Sequence, residues 1–264
     1  MFKVYLIFLL SVFLLFSCSK QEDIKIALDP TDEESMIAIY KEAVESLKKG
    51  DAFYAAKKFK EAETLLPQSE WAAKSSLMHG YSHYMRNAYS SSVFSLERHI
   101  NNYPADKNIP YAHYLIAICY FEQILDEKKD LKPLLKAKEK FEFILTTYPE
   151  TDYAIDSRFK IDLIIDQLAA KEMSIARYYM KTKKWIPAIN RLKVVVEKYD
   201  RTVFIEEALH RLVEVYYRIG LVEEAKKSAK ILGYNYESSE WYERSYKVFN
   251  KKYKPKKITK EKKT

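Results

Sequence analysis

The sequence predicts an all-α fold, a superhelical array of about five stacked helix-turn-helix repeats. Three observations carry that expectation. Gly and Pro number only 4 and 8 in 264 residues, too few for the turns of a sandwich or barrel. The longest β-branched run, at residues 194–196, lies inside a helical period. A small side chain recurs at Ala55, Ser92, Ala137, Ala188 and Ala225. In four of these a large apolar residue follows one helical turn later, at Phe59, Leu96, Phe141 and Leu192. Hydrophobic residues make up 48% and charged residues 31%, the balance of a chain that folds around a core.

Residues 1–17 read as a leader. Lys3 precedes an apolar run at 4–16 interrupted only by Ser11. That run fits the ~7–15-residue apolar core of a signal peptide and falls short of the ~20 residues a spanning helix needs. Leu15-Phe16-Ser17-Cys18 resembles a bacterial lipobox, although Phe16 is larger than that slot usually carries. The resemblance implies cleavage before Cys18 and acylation, palmitate included, of its thiol and new amino group. Several chains together anchor stably where one does not. Ser19, in place of an Asp, implies the outer membrane with the body in the periplasm. Residues 18–35 then form the lipidated Cys and a polar, flexible tether.

Residues 36–250 hold the repeats. The first has Ala43, a Gly50-Asp51 turn, then Ala55, Phe59, Ala62 and Pro67. This is the pattern of a tetratricopeptide repeat: small residues where two helices cross, a tight turn between them, and Pro after the second. The same frame gives Gly80, Asn87, Tyr89, Ser92 and Leu96 before Pro104, and Ala137, Phe141 and Ile144 before Pro149. It continues through Ala176, Trp185, Ala188 and Leu192, then Tyr216, Gly220, Val222 and Ala225. Two insertions stretch it: a charged loop at 126–133, and one long helical run over 152–181. Trp241 and Tyr242 are expected to cap the last apolar face. Cys119, in the apolar run LIAICYF, reads as a buried core thiol.

Net charge is +8, but residues 251–264 (KKYKPKKITKEKKT) hold eight Lys and one Glu, and Lys3 lies in the leader. The remainder, residues 4–250, is therefore neutral overall. A nucleic-acid binder carries its basic residues on a folded face, so no nucleic-acid partner is expected. The lysine run reads as a solvated, disordered tail or as a contact for an anionic surface. Phosphate-binding glycine loops have no place among Gly50, Gly80, Gly220 and Gly233. His79 and His83 share a helix face, yet lack the Glu of a zinc protease. No catalytic site, metal or cofactor is expected beyond the covalent lipid on Cys18.

Several longer stretches carry a family resemblance. They are SEWAAKSSLMHGYSHY (69–84), TTYPETDYAIDSRFKIDLI (146–164), LAAKEMSIARYYMKTKKWIPAINRLKVVVEKY (168–199), EEALHRLVEVYYRIGLVEEA (206–225) and LGYNYESSEWYE (232–243). The resemblance they carry extends over nearly the whole chain beyond the leader. The chain resembles the BamD, or ComL, family of outer-membrane assembly lipoproteins. One departure is Ala176, where the family often has Gly. The resemblance implies a non-catalytic scaffold of the β-barrel assembly machinery. Its partners would be the central barrel subunit, through a periplasmic domain, accessory lipoproteins, and unfolded outer membrane proteins.

By that resemblance Arg191 docks the central subunit, and Asn190, Arg211 and Glu214 complete the expected partner-binding set. Ala188 and Leu192 face the core, which leaves Arg191 outward, where its planar fork suits a carboxylate. The expected substrate groove is lined by Tyr40, Leu77, Tyr81, Tyr84, Tyr114 and Phe121. The same side chains also suit core filling, and the sequence leaves both readings open. A rival reading is a periplasmic repeat lipoprotein coordinating cell-wall or division machinery.

Overall fold

A computed structural model describes residues 30–123, 131–237 and 239–250. Among them are eleven helices and no strand. They are α1 Pro30–Lys48, α2 Ala52–Leu65, α3 Glu70–Met85, α4 Tyr89–Asn102, α5 Ile109–Glu122, α6 Lys132–Thr147, α7 Asp152–Lys181, α8 Trp185–Lys198, α9 Ile205–Arg218, α10 Val222–Asn235 and α11 Glu240–Phe249. Each helix packs on the next in order, so α1/α2 through α9/α10 form five antiparallel pairs. The first helices of repeats one, two and three also touch one another in sequence, as does α5 with α7. Helix α1 starts at Pro30, six residues ahead of the body boundary expected from sequence. Its first buried side chain is Met36.

The turns inside the repeats share one chemistry. Gly50, Asn87, Lys183 and Gly220 have φ of 87°, 59°, 59° and 85°. In each case the next amide reaches back five residues: Asp51 to Ser46, Ala88 to His83, Lys184 to Tyr179 and Leu221 to Tyr216, all at 2.8–2.9 Å. That is the Schellman closure, which satisfies terminal carbonyls and needs a left-handed residue. The corresponding turn of repeat three falls outside the described residues, as does most of the charged loop at 126–133.

Between repeats a second device recurs. Ser69, Thr151 and Ser239 each cap the following helix by accepting a hydrogen bond from an amide three residues on, at 3.0, 3.3 and 3.1 Å.

The small residues do what their spacing predicts. Ala43, Ala55, Ser92, Ala137, Ala176, Ala188 and Ala225 are all fully buried. Ser92 lies deep enough for its Oγ to donate to the Gly80 carbonyl of the neighbouring helix at 2.8 Å. Phe59, Leu96, Phe141 and Leu192 fill the spaces these crossings leave. Successive repeats also share side chains: Tyr84 packs against both the second and third apolar clusters, and Tyr199 against both the third and fourth. A continuous core follows from pairs that cannot cover their faces alone. Glu63 is the one buried carboxylate in the first repeat pair. It accepts from Arg98 Nη2 at 2.7 Å and Lys60 Nζ at 3.1 Å, which joins repeat one to repeat two.

Candidate partner-binding surfaces

Helix α7 is the longest, thirty residues, and serves two neighbours. Its first half packs on α6 and its second on α8. Ala188 and Leu192 of α8 are buried, as their spacing predicts, and Asn190 and Arg191 emerge between them. The Arg191 side chain is 43% exposed. Glu172 of α7 takes one of its terminal nitrogens, Nη1, with both carboxylate oxygens, at 3.1 and 3.3 Å. Asn190 and Arg191 border a cavity of about 240 Å³ whose other walls are Tyr179, Ile186, Pro187 and Val194. The site is thus a cation held at the edge of an apolar hollow.

Arg211 and Glu214 are placed differently. Arg177 of α7 binds Glu207 of α9 through Nε at 3.1 Å and Nη2 at 2.5 Å. Arg211 binds Glu207 at 3.3 Å and Glu214 at 2.7 Å, and its guanidinium lies 5.5 Å from the centre of the Trp241 ring. His210 stacks on Trp241 at 5.3 Å and shares a 2.8 Å contact with Ser245 Oγ. Burial pushes Glu214 upward, but His210 and Arg211 overcome that and hold its carboxyl at about 2. Burial likewise opposes ionisation of Glu207, and Arg177 and Arg211 outweigh it. Arg211 and Glu214 therefore spend their charge inside the chain, joining repeats four and five to the terminal helix.

The expected groove residues sit mostly between repeats. Tyr40 packs edge-on against Phe59 and Trp71, at 5.3 and 5.2 Å. Tyr81, Tyr84 and Tyr114 are half-buried. The Tyr114 hydroxyl donates to Asp156 at 2.6 Å. Burial first, and this bond second, raises its pKa. Phe121 is half-buried against Phe141 beneath the Lys160 ammonium, 4.8 Å from its ring centre. Leu77 is only 7% exposed and belongs to the core of repeat two, so it offers a groove almost nothing. Its i+4 and i+7 neighbours, Tyr81 and Tyr84, carry the accessible edge.

Three other groups have a settled place. His79 and His83 turn their Nε2 atoms toward each other at 2.9 Å. Burial, then the neighbouring His83, lowers His79 to about 4. Among the described residues no group of three or more His, Cys, Asp or Glu is arranged to hold a metal. Cys119 is buried against Ser92, and burial pushes its thiol up to about 11. Sequence reasoning missed Glu172, Glu207 and Asp156, the carboxylates that fix Arg191, Arg177 and Tyr114. They lie 19, 30 and 42 residues from their partners: the helix pairing inside repeat four brings Glu172 to Arg191, and the stacking of successive repeats brings the other two pairs together.

The leader, Cys18, the tether up to residue 29 and the lysine run at 251–264 lie outside the described residues. No described helix is long and apolar enough to cross a membrane.

The family model described as the outer membrane lipoprotein YfiO matches residues 32–231. An outer membrane protein assembly factor BamD from Caulobacter vibrioides is 42% identical over 219 residues, 83% of this chain and 72% of that protein. The protein of the same name from Rickettsia prowazekii is 41% identical over 221 residues, 83% of this chain and 88% of that protein. The one from Neisseria meningitidis, Z2491, is 27% identical over 233 residues, 84% of this chain and 87% of that protein. The matched span holds helices α2 to α9 whole, most of α1 and α10, and both Arg191 and Glu207. The chain belongs to the YfiO family of outer membrane lipoproteins, and the three relatives above are named BamD.

Proposed function

We propose that this chain is a scaffold of outer membrane protein assembly that holds other polypeptides and performs no bond chemistry itself. The relatives' shared name, assembly factor, supports the general role. The finer reading has three parts. Repeats four and five dock a periplasmic domain of the central barrel subunit. Accessory lipoproteins bind the same scaffold. Repeats one to three receive unfolded barrel proteins along the tyrosine-lined edge, and the acylated Cys18 moors the whole to the outer membrane.

The observation that carries the docking reading is the Arg191 guanidinium. Glu172 engages Nη1, which leaves a flat face with further donors, half in water beside an apolar hollow. A partner carboxylate can pair with those donors while an apolar neighbour fills the hollow. Such a pair at a partly dry edge orients a partner more than an isolated surface lysine would.

The test is co-purification. Arg191→Glu, expressed in place of the native chain, should lose the central barrel subunit from detergent-solubilised membranes while its circular dichroism is unchanged. Full recovery of that subunit would refute the docking role.

A further inference from the structure

Helix α7 carries an apolar stripe left uncovered among the described residues. Ile155, Phe159 and Leu163 are 60%, 64% and 51% exposed. They stand at i, i+4 and i+8, so they form one ridge. That ridge points away from the buried face of the same helix, which is Ala154, Ser157, Ile161, Ile164 and Leu168. A single exposed apolar side chain needs no explanation, but three large ones in register make a patch.

Acids border the ridge. Asp152 and Asp162 are exposed and Asp166 is half-buried, all on the ridge side of the helix. The ion pairs of Glu172 and Arg177 lie farther along α7, and none among the described residues takes Asp152, Asp162 or Asp166. Asp156, the fourth acid, accepts from Tyr114. Arg158 and Lys160 lie about 100° around the helix on either side of Phe159. Lys160 keeps its ammonium over the Phe121 ring, 4.8 Å from the centre. The stretch 152–166 therefore holds four Asp against one Arg and one Lys, with the acids nearer the ridge.

Charge and backbone chemistry decide among occupants. A second copy would bring the same acids to the same place, and an anionic membrane surface is repelled likewise. The chain's own lysine run at 251–264 has the right charge. Its large apolar residues are only Tyr253 and Ile258, with Pro255 close by, so it has no ridge to match. An extended strand laid on a helix surface finds no partners for its amides and carbonyls. A helix satisfies its own backbone and can interdigitate its side chains with an i, i+4 ridge.

We propose that the first half of α7 docks an amphipathic helix of another protein, one whose apolar ridge is bordered by Lys or Arg. This is independent of the Arg191 docking reading, which uses α8 and the second half of α7.

Two designed helical peptides, titrated against the full chain by fluorescence anisotropy, test this. Both carry leucine at i, i+4 and i+8; one has lysine on the borders and the other glutamate. The lysine peptide should bind more than about tenfold tighter at low salt, and high salt should narrow that ratio. Phe159→Ser combined with Leu163→Ser should weaken the lysine peptide by about tenfold or more. Asp162→Asn combined with Asp166→Asn should lower the ratio between the peptides several-fold. All four positions are at least partly in water, so circular dichroism should stay unchanged in both variants. Arg191→Glu should leave both peptides as they were. Equal binding of the two peptides, or lysine-peptide binding that survives either double change, overturns the proposal. So does a loss with Arg191→Glu, which would place the binding at the other surface. Tighter binding once the lysines of 251–264 are changed to Gln would give the face to the chain's own lysine run, and a dimer that Phe159→Ser abolishes would give it to a second copy; either result also overturns it.

Discussion

Gly80 of α3 lies against Leu96 of α4 so closely that a Cβ on Gly80 would stand 2.7 Å from both Leu96 Cγ and Cδ2. Leu96 is fully buried, so it has no solvent to retreat into. The same crossing carries the Ser92 to Gly80 hydrogen bond. Glycine is therefore needed here for contact distance, and not for an unusual φ.

Gly80→Ala should destabilise the protein by about 1–3 kcal/mol, the usual effect of one extra carbon in a packed core. The better helix propensity of Ala offsets up to about 1 kcal/mol of that. Urea denaturation measures the net. Gly80→Ala combined with Leu96→Ala should cost less than the sum of the two single changes, since alanine lacks both clashing atoms, Cγ and Cδ2.

Lys183 is the odd member of the four left-handed turns. Gly50 and Gly220 hold φ of 87° and 85° without a Cβ, and Asn87 at 59° is a common substitute. Lys183 adopts 59° with a full side chain. Lys183→Gly should stabilise the protein by about 1 kcal/mol by removing that strain. An unchanged or lower denaturation midpoint would mean that the lysine stem makes up for its backbone.

How much of this was legible in the sequence depends on range. The crossing residues Ala55, Ser92, Ala137, Ala188 and Ala225 obey local periodicity, and all five proved buried. Three of the four turn residues belong to types that favour a left-handed backbone. Lys183 does not, and only its place in the repeat frame marks it. The outward position of Arg191 followed from Ala188 and Leu192 on its own helix. Its partner Glu172 did not, because pairing across helices depends on the register and crossing angle at which α7 and α8 pack. Leu77 read as lining a groove while it packs inside. A first helix shows which side is apolar, but not where the next repeat's edge will fall across it.

The histidine pair predicts an acid-sensitive fold. His79 sits at about 4, below the 6.5 of a free histidine, because burial and then His83 disfavour its charge. Burial lowers His83 as well. As pH falls from about 6.5 toward 4, the unfolded chain takes up a proton at His79 that the folded chain refuses. Stability therefore falls through that window, on the order of 3 kcal/mol in total for a shift of this size. Glu63, Glu207 and Glu214 are all held below the carboxylate range, so their loss follows at lower pH. Urea melts at pH 7 and pH 5 should differ by less in His79→Gln than in the unaltered protein. An identical pH slope in both would reject the assignment.

The pair formed by Glu172 and Arg191 makes the last prediction. Their ion pair is half in water, so breaking it should change stability by less than about 1 kcal/mol. Its value lies in orientation. Both Glu172 oxygens grip Nη1, which fixes the plane of the guanidinium beside the hollow of Tyr179, Ile186, Pro187 and Val194. Arg191→Lys keeps the charge and loses the fork, and should weaken binding of the central barrel subunit by about tenfold. Glu172→Gln keeps the volume but loosens the plane, and should weaken binding by less, about threefold. Surface-immobilised partner domain and a titration of each variant measure both. If Arg191→Lys binds as the unaltered chain does, charge alone is being read. If Glu172→Gln binds more tightly, Glu172 competes with the partner carboxylate instead of presenting the arginine to it.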